Sequence, residues 1–178
     1  MRYLFLHLAR RVKVGFVRKL VKFLRITKMP KYNIQEKKEK KAAYRSLVSP
    51  TVMDALQREI LQKIVVEARY RDKDYSAKQL AEDLNTNTRY ISAVVNVRFH
   101  KNYSEFVNSY RIEEAMALLV DKRYQDLNME DISDMVGFAN RQSFYSAFYR
   151  FTGKTPRQYR IEQLAQHPSL RKTQRVTD

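Results

Sequence analysis

The fold of this chain is decided by residues 132–160, which read ISDMVGFANRQSFYSAFYRFTGKTPRQYR. The stretch opens with a short apolar helical pattern that ends at Gly137, because glycine tolerates the positive φ that closes a helix. Asn140 then predicts the N-cap of a second helix, since its side chain can accept a hydrogen bond from a free backbone N–H. Phe144 and Phe148 are one helical turn apart and predict the buried face of that helix. The stretch is therefore expected to form two short helices joined by a tight turn.

A second copy of this pattern lies earlier in the chain, offset by 52 residues at its first helix and by 53 residues at the later positions. It begins with a capping box, SAKQ at residues 76–79, and passes through a polar turn, NTNT at 85–88, into another helix. The later copy likewise runs into a capping box, TPRQ at 155–158, with proline at the first helical position. Two short helices joined this tightly must cross steeply, which is helix-turn-helix geometry. Two copies with matching caps are a much stronger indication than one.

Every strong pattern after residue 50 is helical, and no segment alternates convincingly as a strand. An apolar face predicts a first helix over residues 53–69, and a longer helix over 104–119 lies between the two copies. We therefore predict an all-α fold with about seven helices after residue 50. The predicted organisation is a basic amphipathic helix and charged linker at 1–50, a first helix-turn-helix subdomain at 51–102, a linker helix at 103–120, a second helix-turn-helix subdomain at 121–163 and a flexible tail at 164–178.

The positive charge of the chain is concentrated in its first fifty residues. The 178 residues carry a net charge of +16, and residues 1–50 hold 15 Lys and Arg against 2 Asp and Glu. Residues 51–178 hold 20 basic and 17 acidic residues and are nearly balanced. Nucleic-acid binding by the later region must therefore be argued from its motifs and not from its bulk charge.

Residues 1–28 predict a basic amphipathic helix, and a polar linker follows at 29–50. Apolar residues recur in the helix at steps of three and four, and no acidic residue interrupts its basic face. Charges divide every apolar run well short of the roughly 18 residues that a membrane-spanning helix needs. Three roles stay open for this helix: contact with DNA phosphates, packing on a partner helix, or contact with an anionic membrane surface. We rank DNA and a partner helix above the membrane.

The composition excludes several classes of enzyme and metal site. The chain has no cysteine, which excludes disulfides, cysteine nucleophiles and cysteine-ligated metals. Its three glycines are too scattered for a phosphate-binding loop, and its three histidines lie far apart in the sequence. Asp131 and Asp134 have the spacing of a carboxylate pair, but we interpret them as ordinary surface acids. We therefore expect no enzymatic activity, no metal and no cofactor.

The two copies also resemble a known family. In the later copy, the residues that carry the resemblance are ISDMVGF at 132–138, Phe144, Phe148 and GKTPRQYR at 153–160. In the earlier copy and the helix that follows it, they are Leu80, Ala81, YIS at 90–92 and RIEEAMALL at 111–119. Together they resemble the AraC/XylS transcription regulators over about residues 55–161. That family usually has alanine where Ser133 stands, glycine where His100 stands and a large aromatic where Val95 stands. The resemblance implies two helix-turn-helix subdomains, joined by a helix, that read adjacent major-groove segments of promoter DNA.

Polar residues off the buried face of the second helix in each copy are the candidate DNA contacts. Arginine can fork onto guanine O6 and N7, and glutamine can bond to adenine N6 and N7, in a major groove about 12 Å wide. The resemblance places these residues on the family's recognition helices: Thr88, Arg89, Ser92 and Asn96 in the first copy, and Arg141, Gln142, Ser143 and Ser146 in the second. Lys101, Lys154 and Arg160 are candidates for contact with the phosphate backbone. An ordinary solvated surface is the alternative for all of them.

These features predict a sequence-specific, DNA-binding transcription regulator of bacterial type. The lack of a signal peptide and of cysteine favours the cytoplasm, where such a regulator is expected on the nucleoid. Its expected partners are double-stranded promoter DNA and RNA polymerase. Residues 1–50 hold one glycine and cannot build a β-barrel pocket, so we expect no small-molecule sensor domain in this chain. The alternative function is a nonspecific nucleoid or RNA-binding protein driven by residues 1–50.

Overall fold

In the computed structural model, which describes residues 47–167 and residue 169, the described residues form seven α-helices and no β-strand. The all-α fold predicted from the sequence is confirmed. The helices are α1 (Pro50–Leu61), α2 (Ala77–Asp83), α3 (Thr88–Phe99), α4 (Tyr103–Val120), α5 (Met129–Met135), α6 (Arg141–Thr152) and α7 (Pro156–Gln166). The basic helix predicted at 1–28, most of the linker and the end of the tail lie outside the described residues.

The first helices of the two copies, α2 and α5, begin at equivalent capping boxes. The Ser76 hydroxyl accepts from the Gln79 N–H, while the Gln79 side chain accepts from the Ser76 N–H at 2.6 Å. Asn128 and Asp131 make the same reciprocal pair at α5, where the Asp131 carboxylate accepts from the Asn128 N–H at 3.0 Å. Asp131 is thus an exposed acid with a specific structural role, because it completes the N-terminal cap of α5.

The second helices, α3 and α6, begin and end at matching residues. Asn87 caps α3 and Asn140 caps α6, each side chain accepting from the backbone N–H three residues later. Helix α3 ends at His100 with a φ of 58°, and α6 ends at Gly153 with a φ of 73°, so both close with a left-handed residue. His100 adopts this conformation although it carries a Cβ, at a cost of about 1–2 kcal/mol.

The long helix α4 is shared by two hydrophobic cores. Its N-terminal half buries Phe106 and Tyr110, whose rings meet edge to face with 5.1 Å between centroids, and Phe99 of α3 packs on Phe106. Its C-terminal half contributes to the second core, which consists of Ile112, Ala115, Leu119, Ile132, Val136, Phe138, Phe144 and Phe148. Because both cores use α4, the two copies of the motif belong to one folded unit.

The folded region extends beyond its predicted limits at both ends. Helix α1 starts at Pro50 with Ser49 as its N-cap, and Val48 before the cap is 4% exposed. The apolar pattern missed this start because a serine cap and a proline at the first helical position carry no periodicity. At the other end, α7 continues to Gln166, three residues into the predicted tail.

Ser133→Ala is expected to raise the free energy of unfolding by about 1–2 kcal/mol. The Ser133 side chain is 1% exposed, and its hydroxyl has no hydrogen-bond partner among the described residues, so it bears a desolvation cost without compensation. Urea titration of both proteins measures the difference. Ser109 offers the matched control, because its buried hydroxyl donates to the carbonyl of Phe106 at 2.7 Å and Ser109→Ala should not stabilise. A less stable Ser133→Ala protein would contradict this prediction.

Candidate nucleic-acid interface

The polar candidates on α3 and α6 lie away from the faces that form the two cores. The buried residues are Ile91, Ala93, Val94 and Val95 on α3 and Phe144 and Phe148 on α6. The exposed candidates are Thr88, Arg89, Arg141, Gln142, Ser143 and Ser146, and the half-buried ones are Ser92 and Asn96. Both helices thus present polar side chains from their first turns, the part of a recognition helix that contacts base edges.

Arg141 has the best-defined environment of these candidates. Its guanidinium lies 5.0 Å from the centroid of the Tyr145 ring, and its Nη2 lies 3.4 Å from the Tyr145 hydroxyl. Tyr145 in turn packs edge to face on the buried ring of Phe144, with 5.9 Å between centroids. A guanidinium held against a ring keeps its planar set of N–H donors in one orientation, which suits bidentate recognition of a base.

The two basic candidates around α7 lie in different environments. Lys154 is exposed and forms an ion pair with Glu162. Arg160 is half-buried, and its Nη1 donates to the carbonyl of Leu127 at 3.1 Å and approaches that of Gln125 at 3.5 Å. Arg160, which the sequence predicted as a contact to the DNA phosphate backbone, therefore joins the segment before α5 to α7. Lys154 has an exposed ammonium.

Two aromatic residues on the exposed side of α6 were missed by the sequence prediction. Tyr149 is 60% exposed, and Tyr145 is half-buried beside Arg141. Successive spacings of four residues place Arg141, Tyr145 and Tyr149 along one side of the helix. That spacing is the signal in the sequence that identifies the two tyrosines.

The region that holds these residues matches a known family. The family model described as a helix-turn-helix domain matches residues 80–162, which run from α2 into α7. Residues 80–162 are thus similar to helix-turn-helix domains of AraC type, and this region is named the AraC-type domain. The resemblance to AraC/XylS regulators that the sequence predicted is confirmed.

Relatives of the AraC-type domain include regulators and a solved structure. The chain is 28% identical over 89 residues to the uncharacterized HTH-type transcriptional regulator YtdP of Bacillus subtilis, covering 50% of this chain and 11% of that protein. It is also 28% identical over 89 residues to the melibiose operon regulatory protein of Escherichia coli, covering 50% of this chain and 28% of that protein. The C-terminal domain of the two-component response regulator yesN from Fusobacterium nucleatum matches with a TM-score of 0.52 at 28% identity, covering 58% of this chain and 97% of that domain. The chain thus spans about a tenth of the first of these regulators and about a quarter of the second.

Lys101 and Glu113 interact within the AraC-type domain, where its two halves meet. Lys101 lies between α3 and α4, and its ammonium is 5.6 Å from the centroid of the Phe151 ring on α6. Burial raises the pKa of Glu113, on α4, to about 7, against the opposing effect of the Lys101 charge. Burial also lowers the pKa of Lys101. Lys101, predicted as a phosphate contact, is therefore half-buried against the second half of the domain.

The stability of the AraC-type domain is expected to fall as the pH rises from about 4.5 to about 7, through Glu113. The folded state holds the Glu113 proton more tightly than the unfolded chain does, so folding loses this advantage once the carboxyl ionises. One such proton contributes a slope of at most about 1.4 kcal/mol per pH unit. Glu113→Gln should flatten the slope between these pH values, as measured by urea titration.

The exposed Glu59 on α1 provides the control for this substitution. Glu59→Gln makes the same chemical change at an exposed carboxyl and so controls for the loss of one acidic side chain. A Glu113→Gln protein whose stability changes with pH as steeply as the wild type would contradict the assignment.

Two further ion pairs join residues that are more than forty positions apart in the sequence. Arg98 pairs with Asp54, and Arg71 pairs with Glu114. Among residues 47–167, no group of three or more His, Asp or Glu side chains is placed to hold a metal ion. No helix of this described part is long and apolar enough to cross a membrane.

Proposed function

We propose that the protein is a sequence-specific, DNA-binding transcription regulator that reads two adjacent major-groove segments of promoter DNA with α3 and α6. The observation that carries this proposal is the repetition of the α2–α3 pair as α5–α6, with matching caps and an exposed polar first turn on both second helices. The AraC-type domain and the regulators that resemble it support the same function. In this proposal residues 51–102 and 121–163 are the two subdomains, and residues 103–120 join them.

The proposed contacts are of two kinds, those to base edges and those to phosphates. Arg89, Arg141 and Gln142 have the reach and the donors to contact base edges in the major groove. The shorter side chains contact bases or phosphates where the helix lies close to the duplex; they are Thr88, Ser92, Asn96, Ser143 and Ser146. Lys154 contacts a phosphate, which carries no sequence information but fixes the position of the helix.

The charge of residues 1–50 favours a second candidate function, that of a nonspecific nucleoid or RNA-binding protein. These residues hold 15 Lys and Arg against 2 Asp and Glu, enough to bind any nucleic acid through its phosphates. A competition assay separates the two functions. A regulator should release a selected duplex only to competitors that share its sequence, whereas a nonspecific binder should release it equally to unrelated duplexes and to RNA.

We further propose that the protein acts in the cytoplasm, on the nucleoid. A promoter-bound regulator works on the nucleoid in the cytoplasm and meets RNA polymerase there. The family that the chain matches is one of DNA-binding regulators and not of enzymes, so no reaction is proposed. Immunoprecipitation of the protein with cross-linked DNA should recover discrete sites upstream of genes.

Arg141→Ala is expected to relax the base preference at one position of the recognised site, at a cost of about 1–3 kcal/mol on the preferred duplex. The physical reason is the loss of two parallel hydrogen bonds from the guanidinium to guanine. Affinities are measured for the selected duplex and for the three duplexes with another base at that position. The wild type should discriminate among the four, and the variant should bind them alike.

Arg123→Ala is the matched control, since Arg123 is exposed and pairs only with the nearby Asp121 among the charges described. It lowers the net charge by the same amount and should leave base preference unchanged. If Arg141→Ala instead weakens binding to all four duplexes equally, Arg141 contacts a phosphate and its proposed role as a base contact is wrong.

A further inference from the structure

The turn at residues 69–72, between α1 and α2, is fastened to α4 by Arg111. The Arg111 Nε donates to the carbonyl of Tyr70 at 2.5 Å, and its Nη2 donates to the carbonyl of Asp72 at 3.0 Å. The same guanidinium lies 5.4 Å from the centroid of the Phe138 ring, which belongs to the second core. Arg111 therefore contacts both halves of the domain with one planar group.

An ion pair and a buried ring hold the same turn. The Arg71 Nε donates to the Glu114 carboxylate on α4 at 2.8 Å, and the Glu114 side chain is only 15% exposed. Tyr70 is 5% exposed, and its ring lies 6.1 Å from that of Tyr110 on the buried side of α4. The 69–72 turn is thus anchored beside the first core and attached to α4 through its side chains and its carbonyls.

The turn also touches the second helix-turn-helix directly, at Gly137. This residue lies between α5 and α6, is buried, and has a φ of 90°. A Cβ added to Gly137 would lie 2.8 Å from the Cα of Arg71 and closer still to its carbonyl group. Backbone meets backbone at this point, so the contact cannot adjust through a change of side-chain rotamer. A rotation of α5–α6 relative to α2–α3 would disrupt this contact together with the stacking of Arg111 on Phe138.

We infer that the 69–72 turn, held by Arg111 and Gly137, fixes the distance and angle between α3 and α6 and makes the protein selective for the number of base pairs between its two half-sites. The inference rests on the proposed function, since both helices must enter the same duplex. One inserted base pair moves a half-site by about 3.4 Å and turns it by about 35° around the duplex axis. A rigid pair of helices cannot engage both half-sites after such a shift, whereas a loosely joined pair can.

The test uses the full chain and a duplex recovered by repeated selection from a random-sequence library, with the protected patches located by footprinting. Variants of that duplex carry one base pair inserted or deleted between the patches. Wild type is expected to bind each variant at least about tenfold more weakly than the selected duplex. Arg111→Gln should reduce this spacing penalty to less than about threefold, because both carbonyl contacts and the stacking on Phe138 are lost. Arg123→Gln is the control and should keep the wild-type penalty.

Each outcome decides between the inference and its alternatives. A folded Arg111→Gln protein with the wild-type spacing penalty would overturn the inference. If Arg111→Gln does not fold, Arg111→Lys takes its place, since it keeps the charge but an ammonium cannot reproduce the planar set of donors that bonds both carbonyls and stacks on Phe138; an unchanged penalty there overturns the inference equally. A wild type that protects two patches but tolerates an inserted base pair would refute the inference and leave the proposed function standing. A wild type that protects one patch or none would contradict the proposed function itself.

Discussion

Replacing Gly137 with alanine is expected to lower the free energy of unfolding by roughly 2–5 kcal/mol. Two costs add at this position. An L-residue is strained at a φ of 90°, and the new methyl group must displace the backbone of Arg71 against which Gly137 lies. Since a small domain is stable by only about 5–15 kcal/mol, Gly137→Ala should bring the protein close to unfolding.

Gly153 provides a matched control in the same domain. Its φ is 73°, so alanine is strained there as well, but no atom lies within 4 Å of an added Cβ. Gly153→Ala should therefore cost only the conformational term, about 1–2 kcal/mol. Urea titration of the two variants and the wild type separates strain from crowding. Equal losses in both variants would contradict the close contact between the 69–72 turn and the second helix-turn-helix.

Removal of residues 1–46 is expected to make the slope of log DNA affinity against log salt concentration less negative by several units. The deleted segment contains 15 Lys and Arg and 2 Asp and Glu, nearly all of the net positive charge. Each phosphate that a basic side chain neutralises contributes a slope of about −0.9 through counterion release. Affinity should fall for all duplexes alike, because the proposed base contacts remain on α3 and α6.

The structure sets the end point of this deletion. Val48 is buried, and the Ser49 hydroxyl accepts from the Val52 N–H at 3.4 Å as the cap of α1. A deletion through residue 50, the boundary predicted from the sequence, would remove both and confuse a loss of charge with a loss of stability. Thermal unfolding of the truncated protein should match that of the full chain.

The salt titration distinguishes the roles that the sequence left open for residues 1–28. An unchanged slope would mean that these residues do not contact DNA phosphates. A role at a membrane or on a partner would then show as a loss, on deletion, of binding to anionic vesicles or to a copurifying protein. Deletion could also abolish the discrimination between the selected duplex and unrelated duplexes. That result would mean that the N-terminal segment contacts bases, and it would contradict the proposal that α3 and α6 supply the base contacts.

The helix ends were the most predictable part of the fold. Ser76, Asn140 and Gly137 were assigned to caps and turns from the sequence, and the structure places all three in those roles. Such signals are local, since a cap depends on a side chain and a backbone N–H within three residues. The duplication was also visible in the sequence, because the apolar pattern recurs at offsets of 52 and 53 residues.

Contacts between distant residues were not predictable in the same way. Arg111 and Tyr70 are 41 residues apart, and nothing in the periodicity of α4 indicates that an arginine there binds the carbonyl of a preceding turn. Arg160 illustrates the same limit, because its place on α7 does not reveal whether a long side chain extends to solvent or folds back onto the domain. The second reason why Gly137 is required, its contact with Arg71, likewise emerges only when the two halves are brought together.

The central claim is that two helices of one chain read one duplex. Methylation-protection footprinting of the full chain on a selected duplex tests it most directly, because guanine N7 lies in the major groove that α3 and α6 are proposed to enter. We expect two short protected patches about 10 base pairs apart; in Arg141→Ala the guanine that Arg141 contacts should lose its protection while the other patch remains. A single patch, or weak protection spread evenly along the duplex, would contradict it.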